Sequence, residues 1–223
     1  NNETNDEGIM PISEDSSVEE ISEDNTTTEV QPQEDTYKKS DVYLAGDEIT
    51  IDYIVDGNLF VCANTVTINS QIGGDAFILA ENLIIEESGY IFSNLFAIST
   101  NIDVKGIVYD VYAISQNFTI SKGYIYRDIK VISETLNING SVGRNAFVNC
   151  DNIYFNTTED SDGSIHGDLN YSSDTEISIP ENVVNGKINH STQDVETEKS
   201  IGTIITNYIF DLGQFLAFLL IIW

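Results

Sequence analysis

The chain has 223 residues, with 37 Asp and Glu against 9 Lys and Arg, for a formal net charge of -28. So acidic a surface repels phosphate backbones and anionic head groups, which excludes nucleic acid as a partner. Ile, Val, Tyr and Phe are plentiful while Pro and Trp number 3 and 1, so strands are expected over helices.

Residues 1–40 are Glu, Asp, Ser, Thr and Asn with scattered single apolar residues and no sustained period of two or of 3.6. This is the composition of a disordered acidic tail, a solvated tether or an electrostatic bumper against end-to-end stacking.

Residues 41–190 repeat. Eight units each open on Asp or Asn, at Asp41, Asn58, Asp75, Asn94, Asp110, Asp128, Asn145 and Asp168. The second unit, Asn58 to Ile68, reads Asn-Leu-Phe-Val-Cys-Ala-Asn-Thr-Val-Thr-Ile. A period near 17 residues, with two short apolar alternations per unit, is too short for a helix pair. It predicts an all-β fold, a single β-solenoid of about eight coils with three sides each.

Strand side chains alternate, so the columns sort by face. The second, fourth and sixth positions are never charged, and the sixth is always small, from Gly46 and Ala63 to Ser133 and Cys150. These are assigned to the core with the ninth and eleventh positions, such as Val66 and Ile68. A third side is fed by Ile72, Ile91, Val108, Ile125, Val142 and Ile165. The third and fifth positions then face out. The third carries Tyr43, Phe60, Phe77, Phe96, Tyr112 and Phe147, broken by Lys130; the fifth carries Leu79, Ile98, Ile114 and Ile132. An outward aromatic ladder beside an aliphatic one marks these ten residues as an interface. Stacked cross-strand neighbours that merely stabilise the sheet are the plainer alternative.

The Asp/Asn column could place carboxylates one coil apart, as in a retaining glycosidase. It recurs in every unit, with Asn freely replacing Asp, which is how a turn ladder reads: such side chains bond their own backbone. No catalytic residue, cofactor or metal ligand is assigned. In the insertion at 159–163, Asp160, Asp162 and Gly163 form only a fragment of a calcium loop and read as a solvated loop. Cys62 and Cys150 fall five coils apart, roughly 24 Å, too far for a disulfide. His166 and His190 read as surface residues. Pro180, in the eighth unit, cannot donate to a ladder and is expected to blunt that edge, favouring lateral over end-to-end association.

Residues 191–200 read as a polar linker and 201–223 as the start of a transmembrane region. Leu212, Phe215, Leu216, Phe218, Leu219, Leu220, Ile221, Ile222 and Trp223 form an apolar run read as a truncated transmembrane helix. Asp211 would sit at the interface. Few Lys or Arg precede the run, so the solenoid is expected outside the cytoplasm of a membrane-anchored protein.

Gly57-Asn58-Leu59-Phe60-Val61, Gly74-Asp75-Ala76-Phe77-Ile78 and Gly167-Asp168-Leu169-Asn170-Tyr171, each with a following alternating strand, resemble the bactofilin or polymer-forming cytoskeletal family. The likeness runs from Asp41 to Trp223 and is nearest to membrane-anchored clostridial-type members. It implies a right-handed β-helix that self-associates and serves as a scaffold at the cell envelope. The expected function is a non-enzymatic, membrane-tethered scaffold or self-assembly module whose partner is another copy or an envelope protein. An envelope glycan- or ion-binding module, which would need a polar groove, and a polysaccharide-active enzyme are the alternatives.

Overall fold

The computed structural model describes residues 37–158 and 161–192, and their regular structure is entirely strand. They form a β-solenoid of about nine stacked, parallel turns. Long strands such as Leu59–Ile68 and Ala76–Ile85 pair one turn apart, with Leu59 opposite Ala76 and Ile68 opposite Ile85. Each bends in its middle. The ladder between the first two turns runs through Gly46 and Ala63, then resumes at Glu48 and Thr65, leaving Asp47 and Asn64 at an outer corner. Two successive outward residues there reset the alternation. This is why the inward positions run two, four, six, nine and eleven. One ten-residue strand therefore supplies two sides, and two-residue strands such as Gln71–Ile72 and Ser141–Val142 supply the third.

The core columns are those expected from the alternation. Leu59, Ala76, Leu95, Val111 and Ile129 are fully buried at the second position, and Ile72, Ile91 and Val108 on the third side. Val55 belongs to that third column as well and is likewise fully buried. In the first turn Val42, Leu44 and Ile49 pack on the core but are only partly buried, because no described strand pairs on their outer side.

The opening Asp/Asn column does something other than close its own turn. Side chains along the column accept the backbone N–H of the same position one turn on: Asn58 N–H donates to Asp41 Oδ1 at 2.8 Å and Asp75 N–H to Asn58 Oδ1 at 2.8 Å. The series continues through Asn145 N–H to Asp128 at 3.0 Å, Asp168 N–H to Asn145 at 3.0 Å and Lys187 N–H to Asp168 at 2.8 Å. Asp and Asn interchange because both present the needed oxygen. The expectation that these residues bond their own backbone is thus corrected.

Gly89, Gly106, Gly123 and Gly140 stack at a second corner. A Cβ on Gly123 would lie 2.6 Å from the Val104 carbonyl oxygen and 2.8 Å from that of Gly106. The backbone of one turn passes too close to the next for any side chain.

Several boundaries differ from the sequence reading. Tyr37–Lys38 already pairs with Ile54–Val55, four residues before the expected start. There are about nine turns rather than eight. The ninth, Ile188–Ser191, pairs with Leu169–Ser172 and opens on Lys187 instead of an Asp or Asn. Pro180 consequently does not lie on the last edge. It is exposed, in a stretch outside the strands, and Ile188–Ser191 stacks beyond it. In that stretch Ile177 and Ile179 are partly buried against the core without joining a strand; the buried Tyr171 hydroxyl accepts the Ile177 N–H at 3.1 Å. The loop expected at the insertion includes a small antiparallel pair, Thr157–Thr158 with Ser161–Asp162. The proposed acidic tail (apart from Tyr37–Ser40), the linker beyond Thr192 and the apolar run from Leu212 to Trp223 lie outside the described residues. Among the described residues no helix is long and apolar enough to cross a membrane.

Candidate binding face

The first side of the solenoid, second to sixth position, positions the candidate site. Its even positions face the core, so the third and fifth must face out. Tyr43, Phe60, Phe77, Phe96 and Tyr112 stack in one column, with ring centroids 4.7, 4.8, 4.9 and 5.0 Å apart. Interplanar angles widen from 3–4° to 19° at Tyr112. The spacing is that of neighbouring strands, so the stack follows from the register alone.

Lys130 interrupts the column and holds its Nζ 5.0 Å from the centre of the Tyr112 ring, a cation–π contact. Phe147 resumes the column one turn later, opposite Lys130 in the ladder. Leu79, Ile98, Ile114 and Ile132 form the parallel wall two residues along, extended by Ala45, Cys62 and Asn149. The ten residues expected at an interface are thus brought together around one open groove of about 1020 Å³. It spans seven turns, roughly 29 Å at ~4.8 Å per turn. Tyr43 is 69% exposed and Phe147 42%.

Acids frame the groove. Two residues beyond the aliphatic wall, at the outer corner, lie Asp47, Glu81, Glu134 and Asp151. Burial, with the nearby carboxylates of Glu134 and Asp174, pushes the Asp151 carboxyl above its ordinary value. Two residues before the aromatic wall runs the Asp/Asn column. In its fifth and sixth turns Arg127 and Arg144, the chain's two arginines, pair with Asp110 and Asp128. Asp110 is only 2% exposed, so the Arg127 partner offsets the cost of burying its carboxylate.

Cys62 in the groove and Cys150 in the core are free thiols. Burial raises both, and Cys150, also facing Asp151, is pushed up to about 12. Neither is primed as a nucleophile at neutral pH. His190 is exposed; its ring stacks on Tyr171 at 4.8 Å, with Nε2 3.2 Å from Ser173 Oγ. Among the described residues no group of three or more His, Cys, Asp or Glu is placed to hold a metal ion.

Two features escaped the sequence reading. The first is a groove of about 470 Å³ on the second side, where Asn82, Asn101 and Asn117 form an amide ladder. Its bonds are 2.9 Å from Asn101 to Asn82 and 3.0 Å from Asn117 to Asn101. Asp103, Thr119 and Ser121 line it further. The eighth and tenth positions carried this signal. The second is a cluster near the third side. Tyr90 stacks on Phe92 at 4.0 Å, Tyr109 on Tyr126 at 5.0 Å, and Arg127 lies 4.8 Å over Tyr109. The register shifts here because three residues from Ile91 to Asn94 lie beside only two from Val108 to Asp110, a turn one residue short that the 16-residue spacing from Asn94 to Asp110 hinted at.

Comparison of the chain with protein-family models, with curated proteins and with solved structures finds no match.

Proposed function

We propose that this protein is a non-enzymatic β-solenoid scaffold, tethered to a membrane through residues 201–223, with its solenoid outside the cytoplasm. It works by position: a stack of turns holds one apolar face rigid for another protein surface to dock on. The observation that carries the reading is the unbroken column from Tyr43 to Tyr112 beside an aliphatic wall, an apolar surface far more continuous than scattered exposed residues. Stacking alone would account for the rings, but it does not require the second wall. The apolar run at 212–223 supports the tether.

The test is sedimentation velocity of the 223-residue chain across a concentration series, beside the Phe60→Ala, Phe77→Ala, Phe96→Ala triple variant. In salt high enough to screen the acidic edges, the expected result is assembly in the wild type that the variant lacks, with unchanged far-UV circular dichroism because these rings face outward. Assembly that persists in the variant would move docking to another surface. A monomer in both leaves the face to a different partner.

A second reading, an envelope glycan-binding module, is favoured by the amide groove of Asn82, Asn101 and Asn117. Titration with oligosaccharides of cell-wall type against Asn101→Ala separates the two, since the scaffold reading expects no binding there.

A further inference from the structure

We infer that the apolar face is built to receive a basic amphipathic helix of a partner protein; this rests on the docking reading above. Three observations bear on the occupant.

The backbone of the face is already committed. Residues from Leu59 to Ala63 pair with Val42 to Gly46 on one side and with Ala76 to Ala80 on the other, and the same holds turn after turn. A strand laid across the face would gain no main-chain hydrogen bond and would leave its own N–H groups unpaired. A helix satisfies its backbone internally and needs to bring only side chains. Among the described residues edge pairing is open only at the end turns, such as along Val42–Ile51, where an added strand would continue the face and not lie across it.

The dimensions suit a helix. The groove of seven turns, roughly 29 Å, matches a helix of about 18 residues, ~27 Å at 1.5 Å per residue. Successive helical turns advance ~5.4 Å against ~4.8 Å per solenoid turn, so apolar residues spaced three and four apart meet successive rings.

The charge selects the sign of the flanks. Asp47, Glu81, Glu134 and Asp151 edge the groove at the corner, with Asp41 and Asp75 on the opposite edge. The chain as a whole carries -28. A second copy would bring like-charged edges together, whereas Lys or Arg beside an apolar stripe would meet carboxylates on both sides. Lys130, the one cation on the face, is held against Tyr112 and marks where a basic partner must be uncharged or acidic.

The experiment uses the 223-residue chain and three labelled 18-residue synthetic peptides, followed by fluorescence anisotropy at low and high salt. One is helical with a Leu/Phe stripe flanked by Lys; one replaces each Lys by Glu; one keeps the Lys peptide's composition but scatters the stripe. The Lys stripe peptide is expected to bind at least tenfold more tightly than either other peptide, and to weaken as salt rises. The Phe60/Phe77/Phe96 alanine variant should lose at least tenfold. The Glu81→Gln, Glu134→Gln, Asp151→Asn variant should lose affinity for the Lys peptide and much of its salt dependence. Equal binding of the Lys and Glu stripe peptides would overturn the basic partner while leaving a docking face. Equal binding of the scattered peptide, or an undiminished affinity in the alanine variant, would overturn the docking reading itself, since charge attraction alone would then suffice.

Discussion

At the level of single residues, the opening Asp/Asn column carries the register from turn to turn. Asp75 shows how. Burial disfavours its charge, but the Ser93 hydroxyl, the Asn94 N–H and the Asn94 side-chain amide all donate to it, and together they hold its carboxyl below the usual value. A carboxylate whose pKa is lower folded than unfolded contributes stability above the unfolded value, near 4, and loses it as pH falls through the folded value. Asp75→Asn keeps the Oδ1 acceptor for Asn94 N–H and removes only the charge. At neutral pH the wild type is therefore expected to be more stable by roughly 1 kcal/mol or less, because the site is partly open to solvent. The gap should close as pH falls below the unfolded value and on through the lower folded one, where the carboxyl takes up its proton. Urea midpoints of both proteins at neutral and acid pH measure it; a gap that stays constant would mean the charge contributes nothing. At neighbouring sixth positions the Ser115 and Ser133 hydroxyls are buried without a hydrogen-bond partner, where other turns use Ala63 and Ala80. Smallness, and not polarity, is what that corner needs.

Elements explain which parts of this architecture could be read in the sequence. The inward columns were legible because burial filters every turn identically: an uncharged second position eight times over has few explanations other than a shared core. The ten residues of the groove followed from the same alternation, since assigning the even positions inward leaves the odd ones out. What did not follow was anything set between turns by the backbone. Gly89, Gly106, Gly123 and Gly140 recur at near-regular spacing, but a glycine signals a close approach only when the neighbouring carbonyl is known. The acceptor role of Asp41 and its successors likewise needs the next turn's N–H in place. The ninth turn was missed because Lys187 can donate its N–H to Asp168 but has no carboxylate or amide oxygen to accept the next one. A residue that ends a ladder looks unlike those that continue it. Concavity, too, is a property of several turns together. The walls of the apolar groove stand out column by column, whereas the amide ladder through Asn82, Asn101 and Asn117 does not, because its residues are ordinary one at a time.

For the molecule as a whole, stability should grow by the turn, because each turn meets only its neighbours and none can bury its own apolar side. This makes the position of a deletion matter less than its length. Removing residues 58–74 joins Gly57 to Asp75 and takes out one full turn, the 17 residues that separate Asp41 from Asn58 and Asn58 from Asp75. Asp41 Oδ1 then faces the Asp75 N–H, Leu44 stacks on Ile78, and Tyr43 stacks on Phe77, so every column survives with one member fewer. The shortened chain is expected to melt cooperatively at a lower temperature, with a strand-type far-UV spectrum. Removing residues 58–75 takes one residue more. Ala76 would then occupy the opening position, without an oxygen on its side chain, and the strand after it would turn Phe77 and Leu79 inward and Ile78 outward. That chain is expected to lose its first turn from the cooperative unit and to melt lower still, although it differs by a single residue. Equal melting of the two deletions would show that the turns are held by apolar collapse without register. A first turn that stays within the cooperative unit in the first deletion alone would show that the apolar face has its straightness from the same repeat that builds the core. The walls of the groove could then be lengthened or cut by whole turns, and the peptide length it accommodates should change with them, by about three helical residues per turn.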